Sequence, residues 1–163
     1  MKVNKYRPFV CIIPEGDANV KLINGFLQHG SANLLSIEVR TPAGGWKRVL
    51  EVFLEEYLPK FVESPNIHVV MIIDFDEADT RRTLFEHSIP SAIRSRVFLI
   101  GSWDEPESLK RMFRKSLEEI GNQLSHACLA DDLNVWEHPH LIHNLDELKR
   151  MMPVIKPIVF KRV

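Results

Sequence analysis

Short apolar runs and longer amphipathic segments alternate along this chain. Phe9-Val10-Cys11-Ile12-Ile13, Leu34-Leu35-Ser36-Ile37-Glu38-Val39, Val69-Val70-Met71-Ile72-Ile73 and Val97-Phe98-Leu99-Ile100 are rich in β-forming residues, and the segments between them carry apolar residues at helical spacing. The pattern predicts strands over about 8–13, 33–39, 67–73 and 96–100. It predicts helices over about 17–29, 45–61, 77–87 and 104–127, the last running from Asp104 through Leu109, Met112, Phe113, Leu117, Ile120 and Leu124. Near-continuous apolar strands belong to parallel sheets covered on both faces. Strand–helix alternation therefore implies an α/β fold: a mainly parallel sheet of about four strands, right-handed crossovers, and helices on both faces. The tail is less regular, with a short helix expected near Leu145 to Met152. The apolar stretch Val154 to Phe160, interrupted by Pro157, reads as an edge strand, where proline is tolerated.

At 163 residues and 45% hydrophobic content the chain is long enough to bury a core of its own. Without repeats or a dividing linker it reads as one domain, 1–163, with a core over about 8–127 and a C-terminal extension over about 128–163. A formal net charge of −1 gives no global basic field, so any nucleic-acid contact must be a local patch. Cys11 and Cys128 make no disulfide framework and fit a reducing compartment. No apolar run approaches membrane-spanning length and the amino terminus lacks a signal-peptide pattern, so no membrane partner and a cytoplasmic location are expected.

The chemistry concentrates where strands end. Val69 to Ile73 runs directly into Asp74-Phe75-Asp76, and Phe9 to Ile13 runs into Pro14-Glu15-Gly16-Asp17. Ligands of open α/β sheets collect at the carboxyl ends of the strands, and carboxylate oxygens suit a hard cation such as Mg²⁺. Gly16 permits a sharp turn and Asp17 is a reasonable N-cap, so the positive end of the first helix would face the same crevice. The fourth strand ends in Gly101-Ser102-Trp103-Asp104-Glu105-Pro106-Glu107. Glu105 is a candidate outer ligand there, although Ser102 or Asp104 as N-cap and Pro106 near N1 also compose an ordinary helix start. Arg81 and Arg82 follow the Asp-x-Asp loop closely, where a cation would stabilise a phosphate, and Lys47-Arg48 adds a second basic pair. His138, His140 and His143 crowd one proline-containing loop, a pattern that lacks the spacing of a zinc site.

An apolar strand, then Glu15-Gly16 with an acid following and a helix, then a downstream strand ending in Asp74-x-Asp76 resembles the Toprim domain of topoisomerases, bacterial primases and the overcome-lysogenization-defect nucleases. The resemblance covers roughly residues 8–100. Pro42-Ala43-Gly44-Gly45 ahead of the helix beginning at Trp46 is similar to the nuclease branch, in which a glycine loop precedes the second helix. The resemblance implies that Asp74 and Asp76 hold Mg²⁺ or Mn²⁺ and that Glu15 acts as acid/base or as a further ligand; Asp79, close after the pair, is a candidate outer ligand. Arg81, Arg82 and Lys47 are the candidate phosphate contacts. The chain departs from the common family pattern by carrying Glu77, Ala78 and Asp79 after the pair, where two residues and a glycine are usual.

Absences narrow the field further. There is no P-loop, so an ATP-coupled activity would need a separate ATPase subunit, and neither a primase zinc module nor strand-passage domains fit. Haloacid dehalogenase phosphatases require Asp-x-Asp-x-Thr at their first strand, which this chain does not have. The function expected is divalent-metal-dependent phosphodiester processing of DNA or RNA by a stand-alone Toprim-like protein. The alternatives are a non-catalytic partner subunit or nucleic-acid sensor on the same fold, and then a small-molecule phosphohydrolase. The sequence leaves the oligomeric state open.

Overall fold

The computed structural model describes residues 2–162. Four strands, β1 (Phe9–Pro14), β2 (Ile37–Val39), β3 (Ile67–Ile72) and β4 (Val97–Ile100), form one all-parallel sheet in the order β2-β1-β3-β4. Seven α-helices flank it among the described residues: α1 (Asp17–Leu27), α2 (Trp46–Val52), α3 (Leu58–Glu63), α4 (Thr80–Ser88), α5 (Pro106–Phe113), α6 (Leu117–Leu129) and α7 (Leu145–Val159). The α/β class, the parallel sheet and the helices on both faces are those the sequence pattern implies.

Strand alternation divides the core in two. Phe9, Cys11 and Ile13 of β1, with Val69, Met71 and Ile73 on and just beyond β3, pack against Val49, Phe53, Phe61 and Phe85 of the α2 to α4 segment. On the other face Val10, Val70 and Phe98 meet Leu109, Ile120, Leu124, Leu148 and Ile155 of α5 to α7, with α1 laid over the same side through Leu22 and Phe26. Chain order reverses direction in the sheet between β1 and β3, because β2 lies on one side of β1 and β3 on the other. A crevice opens at such a switch point, at the carboxyl ends of the strands.

Of the expected strand over 33–39 only Ile37–Val39 is strand, Leu34–Ser36 being a 3-10 turn, and three further segments differ in kind from the sequence expectation. The segment 45–61 is a continuous rod from Trp46 to Glu63 with a π turn at Phe53–Tyr57, where the Leu58 N–H reaches Phe53 O. Pro59 follows at once and has no N–H to offer, so the ladder slips one residue instead of breaking. The single helix expected over 104–127 is two: Arg114 is left-handed at φ 52°, and the Ser116 hydroxyl accepts from Glu119 N at 3.1 Å to start α6. The third is the expected edge strand, which is helix. α7 runs through Pro153 and Pro157, and only an isolated antiparallel bridge, Ala32 to Phe160, remains of strand pairing there. Both prolines lie on the exposed side, while Leu148, Met151, Ile155, Ile158 and Val159 are buried. Each interior proline costs about 3 kcal/mol. Burying five apolar side chains at about 1.5–3 kcal/mol each exceeds that.

α1 and α6 cross unusually closely, through glycine. A Cβ placed on Gly25 would lie 1.9 Å from Glu118 O, and one on Gly121 would lie 2.0 Å from Leu22 O. The two helices thus lock together and hold the start of α1 over the crevice.

Candidate functional site

β1 ends by peeling away from β3. The Glu15 N–H still donates to Ile72 O at 2.9 Å, but the Glu15 carbonyl accepts from Gly44 N at 2.9 Å instead of from β3. The next β3 donor, the Asp74 N–H, is taken by the Glu15 side chain, with Oε2 at 2.6 Å. A carboxylate therefore stands in for a main-chain carbonyl in the parallel ladder, and it is drawn against Asp74. Gly44 and Gly45 shape this departure with φ of 88° and 137°, values that disfavour any residue with a Cβ.

Asp74 lies on the α1 side of the sheet, in step with Val70 and Ile72. Asn19, in the first turn of α1 and 2% exposed, donates from Nδ2 to Asp74 Oδ1 at 3.1 Å while its Oδ1 accepts from Gly16 N at 2.8 Å. Burial pushes the Asp74 carboxyl up to about 6. The Asn19 bond opposes the rise, and the charges of Glu15 and Glu107 add to it. Glu15 is raised as well, by burial first, against hydrogen bonds from the Asp74 and Trp46 backbones and the nearby Arg81 charge. Both acids are thus poised to exchange a proton nearer neutrality than free carboxylates do.

Asp76 is placed differently. After the buried Phe75, Asp76 and Glu77 adopt left-handed φ of 49° and 55°, which turns the Asp76 side chain to solvent at 76% exposure. This turn delays α4 to Thr80 from the expected 77. Asp76 Oδ2 pairs with Arg81 Nη2 at 3.4 Å. The other Arg81 amino group donates to the Asp74 carbonyl, and the guanidinium lies 4.6 Å from the centre of the Trp46 ring. Arg81 is thereby fixed beside both aspartates. Lys47 Nζ is 5.5 Å from the same ring, so a second cation stands at the rim.

Several expected site residues lie elsewhere. Arg82, one residue and about 100° around α4 from Arg81, donates to Leu99 O at 3.0 Å, approaches Glu147 at 3.9 Å and covers the Phe75 ring, so it is a strut between β4 and α7 and does not face the crevice. Asp79 is the N-cap residue of α4 and its charge acts on Arg82 and His143. Glu105 occupies the N-cap position of α5, while Glu107 in the first turn is the acid whose charge reaches Asp74. His143 is packed against Phe75 and Trp103, at ring distances of 4.7 and 5.2 Å, and its nitrogens are buried without a hydrogen bond of good geometry. His138 stacks on His140 at 5.6 Å and near Phe113. The histidine loop is thus aromatic packing.

Asn19, Trp46 and Glu107 complete the site, and none carries a local signature that names its role. Asn19 sits at N3 of α1, where a side chain reaching back to Gly16 is an ordinary capping pattern. Its second bond depends on β3 lying beside β1.

For a divalent cation the donor set is hard and anionic, as Mg²⁺ and Mn²⁺ require. Glu15 and Asp74 are adjacent, and burial raises the pKa of both although the nearby Arg81 charge opposes the rise. Asp76 stands beside them, engaged with Arg81. Among the described residues no three histidine, cysteine or carboxylate side chains form a preassembled metal cluster. Comparison of the chain with family models, with curated proteins and with solved structures returns no match.

Proposed function

We propose that this chain is a Toprim-like protein that binds Mg²⁺ or Mn²⁺ at the carboxyl end of its sheet and processes phosphodiester bonds in nucleic acid. The observation that carries the reading is the meeting of Glu15 and Asp74 at the switch point, with Arg81 held beside them. Asp74 and Asp76 would hold the cation, with Glu15 as the neighbouring acid/base. A bound divalent ion supplies charge neutralisation and an activated water. Glu15, its proton affinity raised by burial, accepts or returns a proton at its carboxylate. Arg81 meets a phosphate oxygen with a guanidinium that Trp46 keeps in place. Lys47 extends the basic rim along which a DNA or RNA backbone would lie.

A second reading is favoured by the outward turn of Asp76 and its pairing with Arg81. On it the chain keeps the fold and a weak metal site but works as a non-catalytic partner of a separate ATPase or other subunit, or as a nucleic-acid sensor.

The two readings separate in one assay. With Mn²⁺ the purified chain should nick supercoiled plasmid or degrade single-stranded DNA or RNA. Glu15→Gln should lower the rate by about 10²-fold or more with Mn²⁺ binding retained, and Asp74→Asn should lose both. Mn²⁺ binding without metal-dependent cleavage of any of these substrates overturns catalysis and leaves the partner-subunit reading.

A further inference from the structure

The face of the sheet beneath α1, α5, α6 and α7 does not close completely at its carboxyl end. Val10, Val70 and Phe98 are 0%, 5% and 1% exposed, but Ile12, Ile72 and Ile100, one step further along the same strands, are only half-buried. They border a space of about 130 Å³ that Leu22 and Leu124 wall from the helical side. Well-packed interiors leave few voids of this size.

The lining decides what such a space can hold. Its polar members near the crevice are already committed: Asn19 bonds to Gly16 and Asp74, and the Ser102 hydroxyl donates to Asp104 O at 2.9 Å. A water needs two to four polar partners, so this end is poorly suited to water, and apolar cavities of roughly 150 Å³ stay dry and take up benzene. The Trp136 side chain lines the same space, but its indole N–H is fully covered, with the Cys128 thiol, a weak acceptor, beside it.

We propose that this space is a binding site for a small uncharged, apolar ligand of about one six-membered ring, seated among Ile12, Ile72 and Ile100. The site lies beside the acidic crevice and shares Asn19 with it, yet its ligand chemistry is the opposite of a phosphate's. It is independent of the metal reading.

The test uses benzene and cyclohexane as probes on the full chain in EDTA, so that no metal effect intrudes. Both should shift the methyl NMR signals of Ile12, Ile72 and Ile100 and raise Tm by a few degrees at saturation. Leu124→Phe, which fills the space, should abolish both responses, and Ile100→Phe serves the same purpose should the first variant fold poorly. Phenol, which adds a hydroxyl that the apolar lining leaves unpaired, should bind about tenfold or more weakly than benzene. The proposal is overturned if neither probe perturbs these methyl groups, if the filled variants bind as wild type does, or if phenol binds as tightly as benzene.

Discussion

Asn19 Nδ2 donates to Asp74 Oδ1 at 3.1 Å, joining the first turn of α1 to the end of β3 across 55 residues of sequence. The same amide accepts from Gly16 N at 2.8 Å, so one buried side chain both caps the helix and restrains the acid. Asn19→Ala should cost about 1–3 kcal/mol in chemical denaturation, since it leaves Gly16 N and Asp74 short of a partner. It should also move the Asp74 titration further up, because the Asn19 bond is what lowers it. Carboxyl NMR across the titration would show this, and an unchanged Asp74 midpoint would refute the restraint.

Asp74 should destabilise the metal-free protein at neutral pH. Its carboxyl titrates at about 6 in the folded chain against an ordinary value of 3.8 when unfolded, so between these values the folded state binds the proton more tightly. Stability from this group is therefore greatest below about 3.8 and is lost as pH rises through about 6. Asp74→Asn, which still accepts from Asn19, should raise metal-free stability at pH 7.5 by about 1 kcal/mol after allowance for partial solvent exposure. Mg²⁺ should raise the Tm of the wild type and not of the variant. Equal stabilisation of both by Mg²⁺ would place the ion elsewhere.

His143 acts in the opposite sense over an overlapping window. Burial, with the Arg82 charge adding to it, lowers the folded pKa to about 4 from 6.5, so the unfolded chain takes up the proton first. Stability is full above about 6.5 and falls as pH drops toward 4. His143→Phe, placed against Phe75 and Trp103, should remove this acid loss and flatten the profile. Urea midpoints at pH 7 and pH 5 measure it, and a wild-type slope preserved in the variant would assign the acid sensitivity to other groups.

The contact between α1 and α6 tolerates no side chain at its closest points. Gly121→Ala would set a methyl group 2.0 Å from Leu22 O, forcing the helices apart. The expected cost is about 3 kcal/mol, the upper range for overpacking. Gly30→Ala, with nothing within 4 Å of the added carbon, is the control and should be near neutral. If the Gly121 variant were equally neutral, the helix crossing would be looser than described.

What the residues determined on their own is what short-range patterns encode. Four apolar runs specify four strands, three of them buried on both faces, and acids placed directly after them must fall at the sheet's carboxyl edge, which puts Glu15 and Asp74 in one crevice once the strands are parallel neighbours. The break at Arg114 was also written locally, since Ser116-x-x-Glu119 is a capping signature inside an otherwise helical pattern. Other features only tertiary structure decided. α7 continues through Pro153 and Pro157 because a buried face outweighs two missing hydrogen bonds, a balance that local propensity does not contain. Arg81 faces the crevice and Arg82 does not, a choice set by how α4 rolls against the sheet. Asn19 meets Asp74, and Glu107 influences it where Glu105 does not, because strand order and the seating of α1 and α5 bring distant segments together. Spacing along the chain carries no record of those distances; only the packed helices and the sheet do.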